Sequence, residues 1–278
     1  HYPPEENRLN SYRMVASFLA CGLDPAKSLL YAQSAVPEVN ELAWILSCQV
    51  PFGVMARAHS FKDAQAKGID INMGVFNYPI LMAADILLFD ANLVPVGQDQ
   101  KQHLEMARDM AQRFNHHYGE CLVIPEPMIS DTVAVVPGTD GEKMSKSKNN
   151  TVSLFADDKE WKKQVMSIVT DAKGLADPKD PDTCNVFRIF SLLGTPVEIG
   201  AMREKYISGG YGYGHAKMEL LEKLKEKFGP MRDKYNSWMN RQGDLREMLQ
   251  EGSRNARALA AEKLNMVQDR LGLIGRPF

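Results

Sequence analysis

The sequence predicts an α/β protein in which a parallel sheet is followed by an all-helical region. Up to about residue 155, short apolar segments typical of strands alternate with amphipathic helical segments. That order is typical of a parallel sheet with helices packed on it. Beyond this point the strand-like segments end, and helical patterns follow one another to the C-terminus. We therefore predict a first domain over residues 1–181 and an all-α domain over residues 182–278.

Helices of the first domain are predicted from the spacing of apolar residues and from the residues that end helices. Helical spacing predicts helices over residues 5–21, 38–48 and 101–116. Gly22 follows the first of them as a C-terminal stop. A further helix is predicted from about Pro79 to Phe89, with the proline in the first turn, where its missing N–H costs least.

Strand candidates lie between these helices, at residues 28–33, at residues 93–96 and twice within 120–136. The segment 93–96 is short and apolar, so we expect it to be a buried strand. Helices of the C-terminal region are predicted over 158–169, 184–194, 196–207, 215–227, 229–240 and 243–271. The last of these can return to the first domain.

The bulk composition is that of a globular protein. Hydrophobic residues make up 44% and charged residues 24% of the 278 residues, which are ordinary values. No apolar stretch approaches the length of a membrane-spanning helix. The first six residues lack the basic start and apolar run of a signal peptide. The sequence also begins without Met, so we expect it to be a fragment or a processed form.

Charge is unevenly distributed along the chain, although the net charge is only −2. Residues 201–278 hold 15 Lys and Arg against 10 Asp and Glu, a net charge of +5, and the remainder therefore carries −7. An acidic body with a basic C-terminal part is compatible with RNA docking on one side. It is equally compatible with an ordinary charged helical surface.

Cysteine usage indicates a reducing compartment. The four cysteines are Cys21, Cys48, Cys121 and Cys184. They are widely separated and form no Cys-x-x-Cys pair, so we expect reduced structural thiols and a cytoplasmic protein. No set of His, Cys, Asp or Glu shows the spacing of metal ligands, and no protein metal site is predicted.

The strongest chemical signal is the pentapeptide Lys143–Ser147, which lies in the polar, glycine-rich stretch Pro137–Asn150. Two ammonium groups and two hydroxyls on one loop suit the binding of a polyphosphate. Lysines supply mobile positive charge for phosphate oxygens, and hydroxyls add hydrogen bonds. From composition alone, an ordinary charged surface loop is the alternative.

A second candidate site follows the predicted strand at 93–96. The residues Gly97-Gln98-Asp99-Gln100 connect this strand to the next helix, and α/β folds bind ligands where a strand leads into a helix N-terminus. Gly97 allows a ligand close to the backbone, and the Asp99 carboxylate is suited to accepting hydrogen bonds from ribose hydroxyls. The structural alternative is a turn glycine followed by a helix N-cap.

A third candidate is Asp85, a carboxylate within the apolar run Tyr78–Leu88. Burying a carboxylate there is costly unless a donor hydrogen-bonds to it. Met82 lies three residues earlier and therefore on the same helix face. Together they predict an apolar wall with one acceptor, which suits a flat aromatic ligand carrying a single N–H or O–H group. The structural alternative is a backbone group or an arginine that donates to Asp85.

These three segments, in this order, resemble the tryptophanyl-tRNA synthetase family of class I aminoacyl-tRNA synthetases. The resemblance is most specific over residues 78–115 and 143–147 and extends over nearly the whole chain. It implies a Rossmann-like catalytic domain that carries the signature loop 137–150, followed by a helical anticodon-binding domain. It also implies ATP-dependent activation of L-tryptophan to tryptophanyl-adenylate with release of pyrophosphate, and then transfer to tRNA(Trp).

The resemblance implies a role in tryptophan binding for each matching residue of the first domain. Asp85 would accept a hydrogen bond from the indole N–H, and Met82 would pack against the indole ring. Tyr78 and Gln100 would lie beside the amino group of the substrate.

A second set of residues is implied in ATP binding. These are Gly97, Asp99, Lys143, Met144, Ser145, Lys146 and Ser147. Gly97 and Asp99 would hold the ribose, whereas Lys143, Lys146 and Ser147 would hold the phosphates and act in catalysis. Mg²⁺ would arrive with ATP, held mainly by phosphates. The resemblance further implies a homodimer and no DNA or membrane partner.

The sequence departs from the family pattern in two respects. Gln98 stands where the family usually has Glu, so the corresponding side chain is uncharged. The family's Thr-x-Gly-Asn-like element after the first strand is absent, and we therefore expect a catalytic domain that is incomplete at its N-terminus. A non-catalytic tRNA- or tryptophan-binding relative, or an inactive fragment, is one alternative. A tyrosyl-tRNA synthetase, which shares the fold, is another.

Overall fold

The structure of this chain is a computed structural model that describes residues 2–129 and 135–274, without the side chain of Ser60. In these ranges the chain is mostly helical. The helices span Pro4–Ala20 (α1), Glu38–Ser47 (α2), Phe52–Met55 (α3), His59–Ala66 (α4), Met73–Leu87 (α5), Lys101–Tyr118 (α6), Asp158–Met166 (α7), Asn185–Ser191 (α8), Pro196–Ser208 (α9), Tyr213–Met239 (α10) and Gln242–Leu271 (α11).

Two strands, Leu93–Pro95 (β1) and Glu126–Met128 (β2), pair in parallel, with Leu93 opposite Glu126. The predicted α/β class with a parallel sheet is confirmed. The prediction that β1 is buried is wrong, because β2 is its only partner strand in the described part of the chain and Leu93 is 62% exposed. The second strand predicted within 120–136 overlaps residues 130–134, which lie outside the described residues.

The strand predicted over residues 28–33 does not form. A short 3₁₀ helix, Gln33–Ala35, begins there instead. The main-chain N–H of Ala32 donates to the Ser253 hydroxyl at 3.2 Å. Because this amide is satisfied by a side chain of α11, the segment is fixed without a neighbouring strand.

Two predictions of helix boundaries are wrong. Helix α5 begins at Met73, not near Pro79, because the Asn72 side chain caps it by accepting a hydrogen bond from the Val75 N–H at 3.0 Å. The helices predicted over 215–227 and 229–240 are the single helix α10, which continues through Pro230.

The part of α10 beyond Pro230 is held by contacts with the α7 region. Arg232 donates from Nη1 to the carbonyl of Ala156 at 3.2 Å and to Asp158 Oδ1 at 2.6 Å. The same guanidinium lies over the ring of Trp161, 4.6 Å from its centroid. These tertiary contacts offset the backbone hydrogen bond that the proline removes.

The chain folds into two compact units. Unit 1 combines His1–Asp24 with Ala134–Leu245, and unit 2 combines Pro25–Val133 with Arg246–Phe278. These boundaries differ from the predicted domain division at residues 181 and 182, which stays a prediction.

Each unit has its own apolar core. In unit 1, α7, α8 and α1 pack on α10, and Trp161 and Tyr206 are fully buried in the core. In unit 2, α5 packs between α2 and α6. From Arg246 onward α11 belongs to this unit, where Ala256 and Leu264 are buried with residues of α2, α5 and α6.

None of the helices in the described part of the chain combines the length and the apolar composition that are needed to span a bilayer. All four cysteines are free thiols.

Candidate active site

Helix α5 carries the predicted aromatic-ligand face. Tyr78, Met82 and Asp85 are spaced four and three residues apart, which places them along one side of the helix. All three are half-buried, whereas Ala83 and Ala84 on the opposite side are fully buried in the core of unit 2. The predicted combination of an apolar side chain and one carboxylate on a single face is therefore present.

The Asp85 carboxylate is held by an amide side chain. Gln33 Nε2 donates to Asp85 Oδ1 at 2.8 Å and to Oδ2 at 2.7 Å. Burial raises the pKa of Asp85 above its ordinary value, and the hydrogen bonds from Gln33 act in the opposite direction. Burial and the negative charge of Asp85 both raise the pKa of Tyr31. In the described part of the chain, the donor that this carboxylate requires is therefore the Gln33 amide, in place of the arginine or backbone group considered from the sequence.

In the turn after β1, the carboxylate of Asp99 packs closely against the backbone of Gly97. Gln98–Gln100 form one turn of 3₁₀ helix that leads directly into α6. A Cβ atom at Gly97 would lie only 2.7 Å from Asp99 Oδ1. Glycine at this position therefore allows the exposed Asp99 side chain to fold back over the turn.

A series of hydrogen bonds connects this turn with α5. Gln100 Nε2 donates to Asp99 Oδ2 at 3.2 Å, and Gln100 Oε1 lies 3.0 Å from His103 Nδ1. His103 Nε2 lies 2.8 Å from the Tyr78 hydroxyl oxygen. The structure thus brings together three predicted site residues, Tyr78, Asp99 and Gln100. It adds His103, which is not among the residues predicted from the sequence.

His103 is 4% exposed, and burial lowers its pKa below the ordinary value. The negative charge of Asp99 opposes this shift of the pKa, and His59 adds to it. A sequence signal for His103 did exist, because it lies in the first turn of α6 on the same face as the buried Ala107, three residues after Gln100.

The signature loop lies in unit 1 and is closed by short backbone contacts. Pro137 and Lys143 form an antiparallel bridge, and the Met144 N–H donates to the Val136 carbonyl at 2.9 Å. Gly141 has φ +89°, and a Cβ atom there would lie 2.7 Å from the Asn185 side chain. Both backbone conformation and space therefore require glycine at this turn.

The side chain of Asn150 holds the backbone of the signature loop in place through hydrogen bonds. This side chain is buried, accepts a hydrogen bond from the Ser145 N–H at 2.7 Å, and donates to Asp140 Oδ1 at 2.8 Å and to the Lys143 carbonyl at 3.2 Å. The hydrogen bond from Asn150 lowers the pKa of Asp140. In the sequence Asn150 is only the end of the predicted loop, whereas in the structure it fixes the backbone at Lys143 and Ser145.

Three polar side chains of the Lys143–Ser147 segment are accessible to solvent. Lys143, Lys146 and Ser147 are exposed, and the Ser147 hydroxyl lies 2.7 Å from that of Ser145. Among the described residues neither Lys143 nor Lys146 forms an ion pair, whereas Lys148 pairs with Glu142 at 3.9 Å. Two ammonium groups without a carboxylate partner, on a fixed backbone, are suited to binding an anion.

Within residues 2–129 and 135–274, no group of three or more His, Cys, Asp or Glu side chains is placed to hold a metal ion.

The fold and these groups define a class of protein. A parallel strand that ends in a Gly-x-Asp turn, a half-buried acceptor on an apolar helix and an exposed Lys-Met-Ser-Lys-Ser loop together indicate a class I aminoacyl-tRNA synthetase. The family model described as tRNA synthetases class I (W and Y) matches residues 2–229.

Individual relatives show which members of this family the chain is similar to in sequence. A tryptophan–tRNA ligase of Fusobacterium nucleatum is 49% identical over 270 residues, which cover 97% of this chain and 83% of that protein. One from Campylobacter jejuni is 47% identical over 269 residues, covering 97% of this chain and 84% of that protein. The chain belongs to the tryptophan–tRNA ligases within the class I tRNA synthetases.

A solved structure agrees with this assignment. The Campylobacter jejuni tryptophanyl-tRNA synthetase complexed with ADP and tryptophane superposes with a TM-score of 0.92 at 46% identity, covering 98% of this chain and 86% of that chain. The matched relatives are named for tryptophan, which favours this substrate over the tyrosine alternative.

Proposed function

We propose that this ligase activates L-tryptophan with ATP to give tryptophanyl-adenylate and pyrophosphate, and then transfers the tryptophanyl group to tRNA(Trp). The observation that carries the proposal is the half-buried Asp85 carboxylate beside Met82 on α5. The indole N–H is the single donor of an otherwise apolar ring, and such a ring requires one acceptor in an apolar wall. The structure of the Campylobacter jejuni relative was solved with tryptophane and ADP, which supports the proposal that this chain binds tryptophan and an adenine nucleotide.

In the first step, the tryptophan carboxylate attacks the α-phosphorus of ATP, and the bond to pyrophosphate breaks. Gly97 and Asp99 hold the ribose, and Tyr78 and Gln100 hold the amino group. Lys143, Lys146 and Ser147 contact the phosphates, with Met144 and Ser145 completing the ATP-binding loop. The lysines act mainly on the charge that develops on the leaving pyrophosphate, because interactions made only in the transition state raise the rate.

In the second step, a terminal ribose hydroxyl of tRNA attacks the carbonyl carbon of the adenylate, and AMP leaves. The basic C-terminal part of the chain contacts the RNA, with Arg and Lys on phosphates and aromatic side chains on unpaired bases. We propose that Mg²⁺ enters with ATP as a counter-ion of its phosphates and that the enzyme is a cytoplasmic homodimer.

The test is tryptophan-dependent exchange of radioactive pyrophosphate into ATP by the purified full-length protein. The wild-type protein should catalyse exchange. Lys146→Ala should lower kcat by about a hundredfold, the effect typical of losing a donor that stabilises transition-state charge. Lys148→Ala is the matched control, because Lys148 belongs to the same loop but already pairs with Glu142. It should leave kcat nearly unchanged.

The same assay tests the assignment of Asp85. Asp85→Ala should raise the tryptophan KM by about tenfold or more, since a hydrogen bond to a charged acceptor is lost. It should also weaken discrimination against phenylalanine, which lacks the N–H donor. An unchanged tryptophan KM would remove Asp85 from the site. Tryptophan binding without exchange in the wild type would support the non-catalytic alternative.

A further inference from the structure

We propose that His103 is a positioning residue that orients the protons of the amino-group site, so that Tyr78 and Gln100 both present hydrogen-bond acceptors to the ammonium group of the substrate. The inference rests on the proposed function, which assigns Tyr78 and Gln100 to the amino group. It is carried by the buried position of His103 between these two side chains and by the three hydrogen bonds that connect them to Asp99.

The orientation of the Gln100 amide follows from Asp99. An ionised carboxylate only accepts hydrogen bonds, so the Gln100 atom 3.2 Å from Asp99 Oδ2 must be the amide nitrogen. The amide oxygen of Gln100 therefore faces His103 Nδ1, at 3.0 Å. Because this oxygen only accepts, His103 Nδ1 must carry a proton.

The proton on Nδ1 fixes the next hydrogen bond as well. In a neutral imidazole the other nitrogen, Nε2, is an acceptor. The Tyr78 hydroxyl, 2.8 Å away, then donates its single proton to Nε2. With this proton committed to His103, the Tyr78 oxygen retains its lone pairs for a donor on the substrate side. An ammonium group has only donors, so it matches a site prepared in this way.

A protonated His103 would reverse the arrangement. Both ring nitrogens would then donate, and the Tyr78 hydroxyl would have to accept from Nε2 and direct its own proton elsewhere. A second positive charge would also stand near the substrate ammonium. Neutral His103 is therefore the form that binds an amine, and the protein favours it by burial.

The described groups around His103 include residues from three elements. Tyr78 on α5 contributes the hydroxyl, and its ring meets the imidazole edge-on with centroids 5.0 Å apart. Asp99 in the 3₁₀ turn opposes the burial that lowers the pKa of His103, and His59 on α4 adds to that lowering. Burial is the largest of these influences, so His103 stays neutral at neutral pH.

The test compares two ligands that differ only in the amino group. L-tryptophan and indole-3-propionate share the indole ring and the carboxylate, but indole-3-propionate lacks the amine. The Kd of each is measured by calorimetry for the wild type and for His103→Phe, which keeps a ring but removes both hydrogen bonds. We expect tryptophan binding to weaken by about tenfold or more, with indole-3-propionate binding almost unchanged.

Two further variants complete the design. His117→Phe is the matched control, because His117 is an exposed histidine on the same helix, and it should change neither Kd. His103→Asn replaces His103→Phe if the latter does not fold. A double-mutant cycle with Tyr78→Phe should show non-additive losses in tryptophan affinity, because His103 acts through Tyr78.

Equal weakening of both ligands in the His103 variants would mean a purely structural role and would overturn the inference, as would unchanged tryptophan affinity. A failure of the proposed function looks different. The wild type would then show no preference for tryptophan over indole-3-propionate, or no tryptophan-dependent pyrophosphate exchange, before any substitution is made.

Discussion

At the scale of single residues, the Asp85 carboxylate depends on an amide that lies far from it in sequence. Gln33 is 52 residues earlier and donates to both carboxylate oxygens. Burial favours the neutral acid, and these hydrogen bonds favour the charged form. Gln33 therefore opposes the effect of burial on the pKa of Asp85 and favours the ionised carboxylate, which is the better acceptor.

Replacing Gln33 by Leu should make tryptophan binding more sensitive to acid. Without the hydrogen bonds, the pKa of Asp85, which burial already raises, rises further. Affinity for tryptophan falls as the pH drops through this pKa, so the fall should begin at a higher pH in Gln33→Leu than in the wild type. The pH dependence of the tryptophan Kd, measured from neutral to mildly acidic solution, checks this.

A suitable control for that measurement is Gln112→Leu, because Gln112 is an exposed glutamine on α6. It should follow the wild-type profile. If the Gln33→Leu profile also follows that of the wild type, Gln33 does not control the ionisation of Asp85.

At the scale of elements, the signature loop combines a fixed backbone with exposed side chains. Asn150 supplies the fixed part through three hydrogen bonds to the loop. Gly138 packs so closely on Asn150 that a Cβ atom there would lie 2.3 Å from the amide nitrogen. The position of the loop lysines therefore depends on residues that do not themselves bind phosphate.

Asn150→Ala should lower kcat for pyrophosphate exchange by about ten- to a hundredfold, because a small misplacement of a group that acts in the transition state is costly. The KM for tryptophan should change little, since the residues proposed to bind tryptophan lie in a separate segment of the chain. Gly138→Ala, which displaces the Asn150 amide, should act in the same direction. A wild-type kcat in Asn150→Ala would show that the loop does not need this anchor.

The helix α11 offers a test of packing within unit 2. A Cβ atom at Gly252 would lie 1.9 Å from the Leu30 carbonyl oxygen, a backbone atom that cannot move alone. Gly252→Ala should therefore lower the free energy of unfolding by about 1–3 kcal/mol, the usual cost of overpacking. Gly243→Ala is the control in the same helix, where an added Cβ atom meets nothing within 4 Å. Urea unfolding of both variants, followed by circular dichroism, measures the difference.

At the scale of the whole molecule, the residues of the proposed function are divided between the two units. The residues assigned to tryptophan and to the ATP ribose lie in unit 2, and the loop assigned to the phosphates lies in unit 1. The units do not follow the order of the chain, since the first 24 residues belong with residues 134–245. The proposed activity therefore requires segments from both units.

The prediction at this scale is the homodimer that the family resemblance implies. Sedimentation equilibrium should give twice the 31.1 kDa mass of one chain. Diluting the protein should lower the specific activity in pyrophosphate exchange if the dimer is the active form. A monomer that retains full activity over the same concentration range would contradict it.

Local signals in the sequence were enough to predict much of the fold and the candidate site. The apolar stripe of α6 and the parallel α/β order follow from periodicity, which depends only on neighbouring residues. Three parts of the candidate site could be identified because the chemistry of each lies within a few consecutive residues. They are the loop Lys143–Ser147, the turn Gly97–Gln100, and the Asp85 carboxylate within its apolar segment. The structure places Tyr78, Asp99 and Gln100 in one hydrogen-bonded group, which joins the residue predicted to hold the ribose to the two predicted to hold the amino group.

Other features depended on the tertiary structure, because their partners are distant in sequence. Pro230 fits within α10 because Arg232 contacts the α7 region 74 residues earlier, and Asn150 matters because it is buried beneath its loop. Gln33 and His103 gain their roles from Asp85 and Tyr78, which lie 52 and 25 residues away. The sequence by itself determined which chemical groups this protein has and in which local element each stands. Only the tertiary structure decided which of them meet, because burial and hydrogen bonding between distant segments exist only once the chain is folded.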